Sequence, residues 1–338
     1  MRPGRRATVE SDHRSGGKHL VICPGSLGDT VLRLVAVRVL QERGELSKTL
    51  LLVGTFPYLR LARVLVPGSL LSDFDGPPWW ELFSGGAGCS ERLALELSGV
   101  RKALLWLPQD EHADETLRRA GVKVRIWRSI PREGVDGGHV LEHLSGVSRK
   151  ELEPFPETIL PRRDPQAEGA RFRAVIHPGA GSPAKRIPIV CYRRLAGALR
   201  REGWEVIWLV GPAEAEEPGD FSPCDWRIPV VDSPSLEELT DLLRGASVAI
   251  GNDSGVLHLA AVLGIPVIAV FLRTDPEFWH PLGPATFVLD ARNPAEPQVR
   301  SFRFLTPTEI EPSGVLQFVL LELLKTLAVN FPPRTQRS

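Results

Sequence analysis

Residues 248–266 read VAIGNDSGVLHLAAVLGIP. An apolar run, Val248–Gly251, has the length of a buried strand, and Val256–Leu263 has the apolar content of a buried helix. Between them Asn252, Asp253 and Ser254 offer side chains that cap a helix, and Gly255 opens it. The first turn of such a helix presents free backbone N–H groups and the positive end of the helix dipole, which together attract an anion. An ordinary N-cap accounts for Asp253 and Ser254 alone. His258, about one turn in on the same side, adds a further polar group and points to a binding site.

The same strand–loop–helix rhythm runs outward in both directions. On the C-terminal side of the chain, strands are expected at Ala174–His177, Glu205–Val210 and Val267–Phe271, with helices at Ile189–Arg201 and Leu236–Arg244. Toward the N-terminus, Leu20–Cys23, Leu50–Val53, Ala103–Leu107 and Val122–Trp127 read as strands, and Thr30–Gln41, Tyr58–Val66 and Glu111–Ala120 as helices. Strands alternating with helices imply a doubly wound α/β fold with mostly parallel sheets. The polar stretch 160–172 lacks periodicity and reads as an interdomain linker. It divides the chain into an N-terminal Rossmann-like domain over 18–160 and a C-terminal one over 173–312, with a terminal helix in 313–330. Residues 76–100, rich in Gly and Pro, read as an irregular excursion.

Composition narrows the function. The 338 residues suit about two domains. Lys+Arg and Asp+Glu both number 41, and this balance argues against a generally basic nucleic-acid binder. No apolar run reaches the roughly 18–20 residues of a membrane helix. The basic N-terminus lacks the apolar segment of a secretory signal and reads as a disordered tail. The four cysteines, Cys23, Cys89, Cys191 and Cys224, form no metal or disulfide spacing and read as free thiols of a reducing cytoplasm.

Two more strand–loop junctions carry chemistry. In AVIHPGAGSPAKRIP (174–188) a strand runs into a glycine-rich loop, which reads either as a phosphate cradle at Gly181 and Ser182 with Lys185 as its cation or as a plain Gly/Pro turn with a solvated lysine. Gly179–Ala184 also matches a loose GxGxxA dinucleotide pattern, but Pro183 interrupts it. Gly179–Arg186 falls short of a P-loop because Ala184 stands where Gly is needed and Arg186 where Ser or Thr is needed. In GSLGD (25–29), Gly28 permits a tight turn and Asp29 falls at the next helix start. Asp29 is either an N-cap residue or a carboxylate aimed into the cleft as general base. Glu214 follows a strand and reads as a ribose-hydroxyl acceptor or as a member of a surface acidic run. Asp73-Phe74-Asp75 lies in a polar turn and reads as a turn rather than a divalent-metal site.

Taken together, these motifs resemble glycosyltransferase family 9, the ADP-heptose:lipopolysaccharide heptosyltransferases. GNDSGVLHLAAVLGIPVIAVF (251–271) is similar to the family's donor-site segment, HPGAGSPAKRIP to its phosphate loop and GSLGD to its catalytic loop. SLEELTDLLRGA and Thr274-Asp275-Pro276 also fit. The resemblance implies the GT-B fold, two Rossmann-like domains facing a central cleft, with the last helix packing back on the N-terminal domain. It implies an inverting, metal-independent transferase with no cofactor, using a nucleotide-sugar donor, ADP-heptose above all, and a lipopolysaccharide-type or other glycan acceptor. By the same resemblance Asp29 is the base, and Gly28, Gly181, Ser182, Lys185, Glu214, Asp253, Ser254, Gly255 and His258 hold the donor. It places the enzyme in the cytoplasm, in peripheral contact with the inner membrane surface; Arg2, Arg5, Arg6, Arg14 and Lys18 read either as an aid at an anionic leaflet or as part of a solvated disordered tail. The sequence departs from the family at Ile187, at Leu272-Arg273 and at Val35-Ala36-Val37. In the family the loop that holds Leu272-Arg273 borders the donor pocket, and these two departures with Ile187 keep a different nucleotide-sugar donor open, as is a non-catalytic nucleotide-sugar binder.

Overall fold

The computed structural model describes residues 17–84, 89–128, 132–134, 137–152, 172–215, 221–294, 296–303, 306–307 and 314–330. The expected linker at 160–172, except Phe172, and most of the basic tail lie outside them. Lys18, the described member of that basic group, donates from Nζ to the Glu96 carbonyl.

The first sheet is built from β1 (Lys18–Ile22), β2 (Leu50–Gly54), β3 (Leu70–Asp73), β4 (Val100–Leu105) and β5 (Val124–Trp127). All pairings are parallel and the spatial order is β3-β2-β1-β4-β5. Its helices are α1 (Leu27–Glu42), α2 (Ala62–Leu65), α3 (Glu91–Leu97), α4 (Glu111–Arg119), α5 (Val140–Ser145) and α6 (Arg149–Leu152). The Tyr58–Val66 helix is a 3-10 turn running into the single turn of α2. The excursion at 76–100 contains a regular element: Ser90 caps α3, accepting a hydrogen bond from Leu93 N, and Leu93 and Leu97 face the core.

The second sheet comprises β6 (Arg173–His177), β7 (Glu205–Val210), β8 (Val230–Asp232), β9 (Val248–Asn252), β10 (Val267–Phe271), β11 (Thr286–Asp290), β12 (Gln298–Arg303) and β13 (Thr306–Pro307). Its order is β13-β12-β11-β10-β9-β6-β7-β8, parallel from β11 through β8, with β12 and β13 added antiparallel at one edge. The helices are α7 (Ile189–Arg201), α8 (Pro212–Ala215), α9 (Leu236–Arg244), α10 (Gly255–Val262), α11 (Pro276–Trp279) and α12 (Gly314–Asn330). The strands β9 and β10 are buried along their whole length, as apolar runs covered on both faces must be.

The strand orders fix where ligands go. In an open α/β sheet the crevice lies beyond the strand C-termini where the order reverses. In the first sheet that point is beside β1, so the loop into α1 lines it. In the second it lies between β6 and β9, so the 178–187 loop and the 253–255 turn line it. All three motif loops therefore leave strands at switch points.

The helix α1 is apolar on nearly every side, and Thr30–Val37 are all buried. It packs on its own sheet, on α5 and on α10 of the other sheet. One apolar cluster consequently runs from Val21 and Leu52 through Val31 and Val35 to Leu257 and Leu259.

The last helix corrects an expectation. It packs on α7 of the second sheet rather than across the N-terminal sheet. Its buried residues Val319, Leu320, Leu323 and Leu327 join the cluster of Tyr192, Leu195 and Phe287. On that face of the sheet it also covers Ile268 and Val270 of β10 and Phe287 and Leu289 of β11, apolar side chains that share its cluster and need burial.

Candidate active site

The two helix tips meet. A Cβ at Gly28 would lie 3.4 Å from Gly255 Cα and 3.7 Å from His258 Cδ2. The N-terminus of α1 thus abuts that of α10, and both positive dipole ends open on one crevice.

At the α1 tip, Ser26 is the N-cap. Asp29 Oδ2 accepts from Ser26 N at 3.1 Å and from Ser26 Oγ at 2.8 Å. This is a capping box closed by Asp29. Of the two readings of Asp29, the structure shows the cap: its carboxylate closes the N-terminus of α1.

On the facing side Asp253 is the hub. Its Oδ2 accepts from Lys185 Nζ at 2.7 Å and from Thr274 Oγ1 at 2.7 Å, and its Oδ1 stands 3.8 Å from His258 Nε2. Burial opposes the charge on Asp253, but the His258 contact and the Lys185 charge outweigh it and hold the carboxyl at about 2. Lys185 is thereby aimed from the glycine-rich loop across to the start of α10. Ser254 is the N-cap residue, yet its hydroxyl makes no cap bond, and Ser254 Oγ and His258 Nδ1 are buried without a hydrogen-bond partner. Unsatisfied buried polar atoms at a helix tip are what a ligand with acceptor atoms would complete.

The glycine-rich loop is stitched down from below. Asn252, fully buried, accepts on Oδ1 from Ile187 N at 3.1 Å and Tyr192 Oη at 2.9 Å, and donates to the Pro178 carbonyl at 2.7 Å. It ties both ends of the loop to the end of β9. Gly181 faces open space, and Ser182 begins the short 3-10 turn that carries Lys185. Sequence reading placed Asn252 among possible caps and missed this role. An Asn closing a buried apolar strand, where any unpaired amide is costly, was the available signal.

Glu214 is differently placed from the open ribose acceptor that the sequence allowed. It is 4% exposed. It accepts from Ala180 N and Gly211 N, each at 3.1 Å, and from Arg186 Nη2 at 3.1 Å. Gly179 and Gly211 lack the side chains that would collide with it. Here it braces the glycine-rich loop from inside.

Ile187 is buried and Arg273 is exposed. Asp73 Oδ1 accepts from Asp75 N, which makes a local turn. Among the described residues no group of three or more His, Cys, Asp or Glu side chains is placed to hold a metal, and no helix is long and apolar enough to cross a membrane.

Residues 139–306 match the family model "Glycosyltransferase family 9 (heptosyltransferase)". Lipopolysaccharide heptosyltransferase 1 of Pseudomonas aeruginosa is 28% identical over 184 residues, 51% of each chain. Lipooligosaccharide heptosyltransferase 2 of Haemophilus influenzae is 34% identical over 113 residues, 31% of this chain and 32% of that protein. The chain therefore spans about a third to a half of the length of these curated relatives. Among solved structures, E. coli ADP-heptose LPS heptosyltransferase II superposes with a TM-score of 0.61 at 19% identity, covering 93% of this chain and 99% of that one. E. coli heptosyltransferase WaaC with ADP superposes with a TM-score of 0.56 at 17% identity, covering 90% and 99%. The fold is GT-B, two parallel-sheet α/β units.

Proposed function

The chain belongs to glycosyltransferase family 9, and from that premise we propose that it moves heptose from ADP-heptose onto a lipopolysaccharide-type acceptor with inversion at the anomeric carbon. The observation that supports this reading is the meeting of the α1 and α10 tips, which brings Gly28, the chain neighbour of Asp29, against Gly255 and His258, while Lys185 reaches Asp253 beside that tip.

The donor diphosphate lies on the α10 tip. The backbone N–H groups of Ser254 and Gly255, the Ser254 hydroxyl and the helix dipole face its oxygens, and Lys185 supplies the cation. Gly181 and Ser182 leave the backbone open to the phosphate, and Gly28 lets the α1 tip close against it. Lys185 stays within reach of both Asp253 and the phosphate, so it is pre-positioned rather than mobile. Glu214 acts through the loop: it keeps Ala180 and Arg186 in place beneath the nucleotide.

Asp29 accepts the proton of the acceptor hydroxyl as that oxygen bonds to the anomeric carbon. The bond from that carbon to the diphosphate breaks through an oxocarbenium-like state. Its electron pair leaves with the nucleoside diphosphate, whose growing charge the α10 tip and Lys185 stabilise. Residues 18–160 form the acceptor side and 173–312 the donor side. The acceptor brings the enzyme to the cytoplasmic face of the inner membrane.

A different nucleotide-sugar donor is favoured by one feature, Leu272-Arg273 at the pocket border. A thermal-shift screen with ADP, UDP, GDP, CDP and NADH separates the readings, because a ligand of the native state raises the melting temperature. Stabilisation by ADP alone, followed by consumption of ADP-heptose in the presence of lipopolysaccharide acceptor, is expected. Stabilisation by another diphosphate moves the donor assignment, and no response to any diphosphate overturns the transferase reading.

A further inference from the structure

One charged side chain beside the crevice has no role in the scheme above. Arg33 stands one turn after Asp29 on α1 and is 4% exposed. Its Nη1 is buried and makes no hydrogen bond. Among the described residues it has no carboxylate within ion-pair distance. A guanidinium is permanently charged, so it cannot escape the cost of burial by losing a proton. Buried charges are paired or satisfied as a rule, because an uncompensated one costs several kcal/mol.

The direction of the side chain is defined by Gly25. A Cβ at Gly25 would stand 2.6 Å from Arg33 Nη1 and 3.1 Å from Asp29 Oδ2. Gly25 has φ +153°, a backbone conformation that favours glycine, and its N–H is fixed by Thr55 Oγ1 at 3.0 Å. Arg33 and Asp29 therefore flank the same bare Cα at the α1 tip. The guanidinium also lies close enough to oppose the burial that pushes the Cys23 thiol up to about 12. A helix N-terminus, a buried guanidinium with an unsatisfied Nη1 and a glycine without a side chain to screen them meet at one spot, with the Asp29 carboxylate at its rim.

We propose that the α1 tip with Arg33 beneath Gly25 is an anion subsite for the acceptor, which carries a carboxylate or phosphate group near the hydroxyl that Asp29 deprotonates. This rests on the reading of Asp29 as the base. The subsite is separate from the donor diphosphate, which Lys185 and the α10 tip hold on the other side. Through it Arg33 selects anionic acceptors, and the acceptor in turn supplies the missing counter-charge.

The test uses the full chain with ADP at saturation, so that the donor site is filled. Inorganic phosphate and acetate are titrated by calorimetry against the wild type and against Arg33→Met, which keeps the buried volume and removes the charge. The wild type should bind at least one of the two, phosphate if the acceptor group is a phosphate and acetate if it is a carboxylate, and R33M should bind it at least tenfold more weakly. Equal binding by R33M, no binding of either anion by the wild type, or displacement of ADP by phosphate would each overturn the subsite. ADP affinity within twofold of wild type shows that R33M is folded. Should R33M lose ADP binding, wild-type crystals grown with ADP and soaked in selenate decide the matter. An anomalous peak beside Arg33 supports the subsite, and a peak at Lys185 alone overturns it. Failure of the wild type to bind ADP at all would instead refute the donor reading and leave the anion titration to stand by itself.

Discussion

Gly28 and Gly255 face each other at the tips of two helices from different sheets. A Cβ on Gly255 would stand 2.7 Å from Gly28 N and 3.0 Å from Leu27 Cβ. The nearest atom is backbone and the next is a Cβ fixed to it, so turning a side chain does not relieve the clash. Gly255→Ala should therefore part the tips at a cost of about 1–3 kcal/mol, as for other overpacked contacts. Urea denaturation measures that loss, and transfer activity should fall with it because Asp29 moves away from the donor. A variant of wild-type stability and activity would show that the tips need not meet.

Lys185→Met should weaken ADP binding at least tenfold. It also leaves Asp253, 6% exposed at its side chain, without its nearest cation. Lys185 is about one-third exposed, so solvent screens the pair and the expected loss of stability is about 1–2 kcal/mol. The depressed carboxyl of Asp253 contributes stability that is complete above about pH 3.8 and is lost as pH falls toward 2. Removing Lys185 raises that carboxyl, so acid unfolding should begin at higher pH. Parallel acid titrations followed by circular dichroism check the shift.

Glu214→Gln keeps an acceptor for only one of the Ala180 and Gly211 N–H groups, which bond to different carboxylate oxygens, and removes the charge that pairs with Arg186. The two side chains are 2% and 9% exposed. Breaking a pair at that depth should cost about 3 kcal/mol. Because Glu214 supports the loop from inside, the variant should bind ADP more weakly in proportion to its lost stability. Unchanged stability with a selective loss of ADP affinity would instead give Glu214 a direct contact with the nucleotide.

Between the two sheets His139 Nε2 and the His280 carbonyl are 3.0 Å apart, and the two rings lie 4.4 Å apart. Burial is the chief cause that lowers both histidines, His280 to about 3 and His139 well below its ordinary value. Both are neutral when folded and take up a proton near pH 6.5 when unfolded. Stability is complete above that pH and falls as pH drops from 6.5 toward 3, because the unfolded chain binds more protons. At pH 5 the buried His280 should cost about 2 kcal/mol, at 1.36 kcal/mol per pH unit, and His139 acts in the same direction. Urea midpoints at pH 7.5 and pH 5 measure the loss, and His280→Gln should shrink the difference.

The elements were legible where one segment contains its own reasons. Val248–Asn252 and Gly255–Val262 follow from an apolar run, a capping stretch and a glycine, all adjacent in the chain. What joins distant segments was not legible. Lys185 and Asp253 are 68 residues apart, and nothing in either loop names the other. Glu214 lies in an acidic run that reads as surface, and only the fold brings backbone N–H groups and Arg186 onto it. The helix α12 is apolar enough to cover any open flank, so its sequence could not choose between α7 and the first sheet. Nothing in the sequence around Arg33 marks it as buried, and it is buried in a helix that packs on both α5 and α10.

Asp29 tests the central claim most directly. Asp29→Asn keeps the size and an acceptor for the Ser26 cap but cannot take a proton. The measurement is transfer from ADP-heptose to lipopolysaccharide acceptor by wild type and D29N, with ADP affinity measured alongside. General-base catalysis contributes about 10²–10⁴-fold, so turnover should fall by that factor while ADP affinity stays within twofold. Turnover by D29N at the wild-type rate would contradict Asp29 as the base and with it the account of how this crevice works.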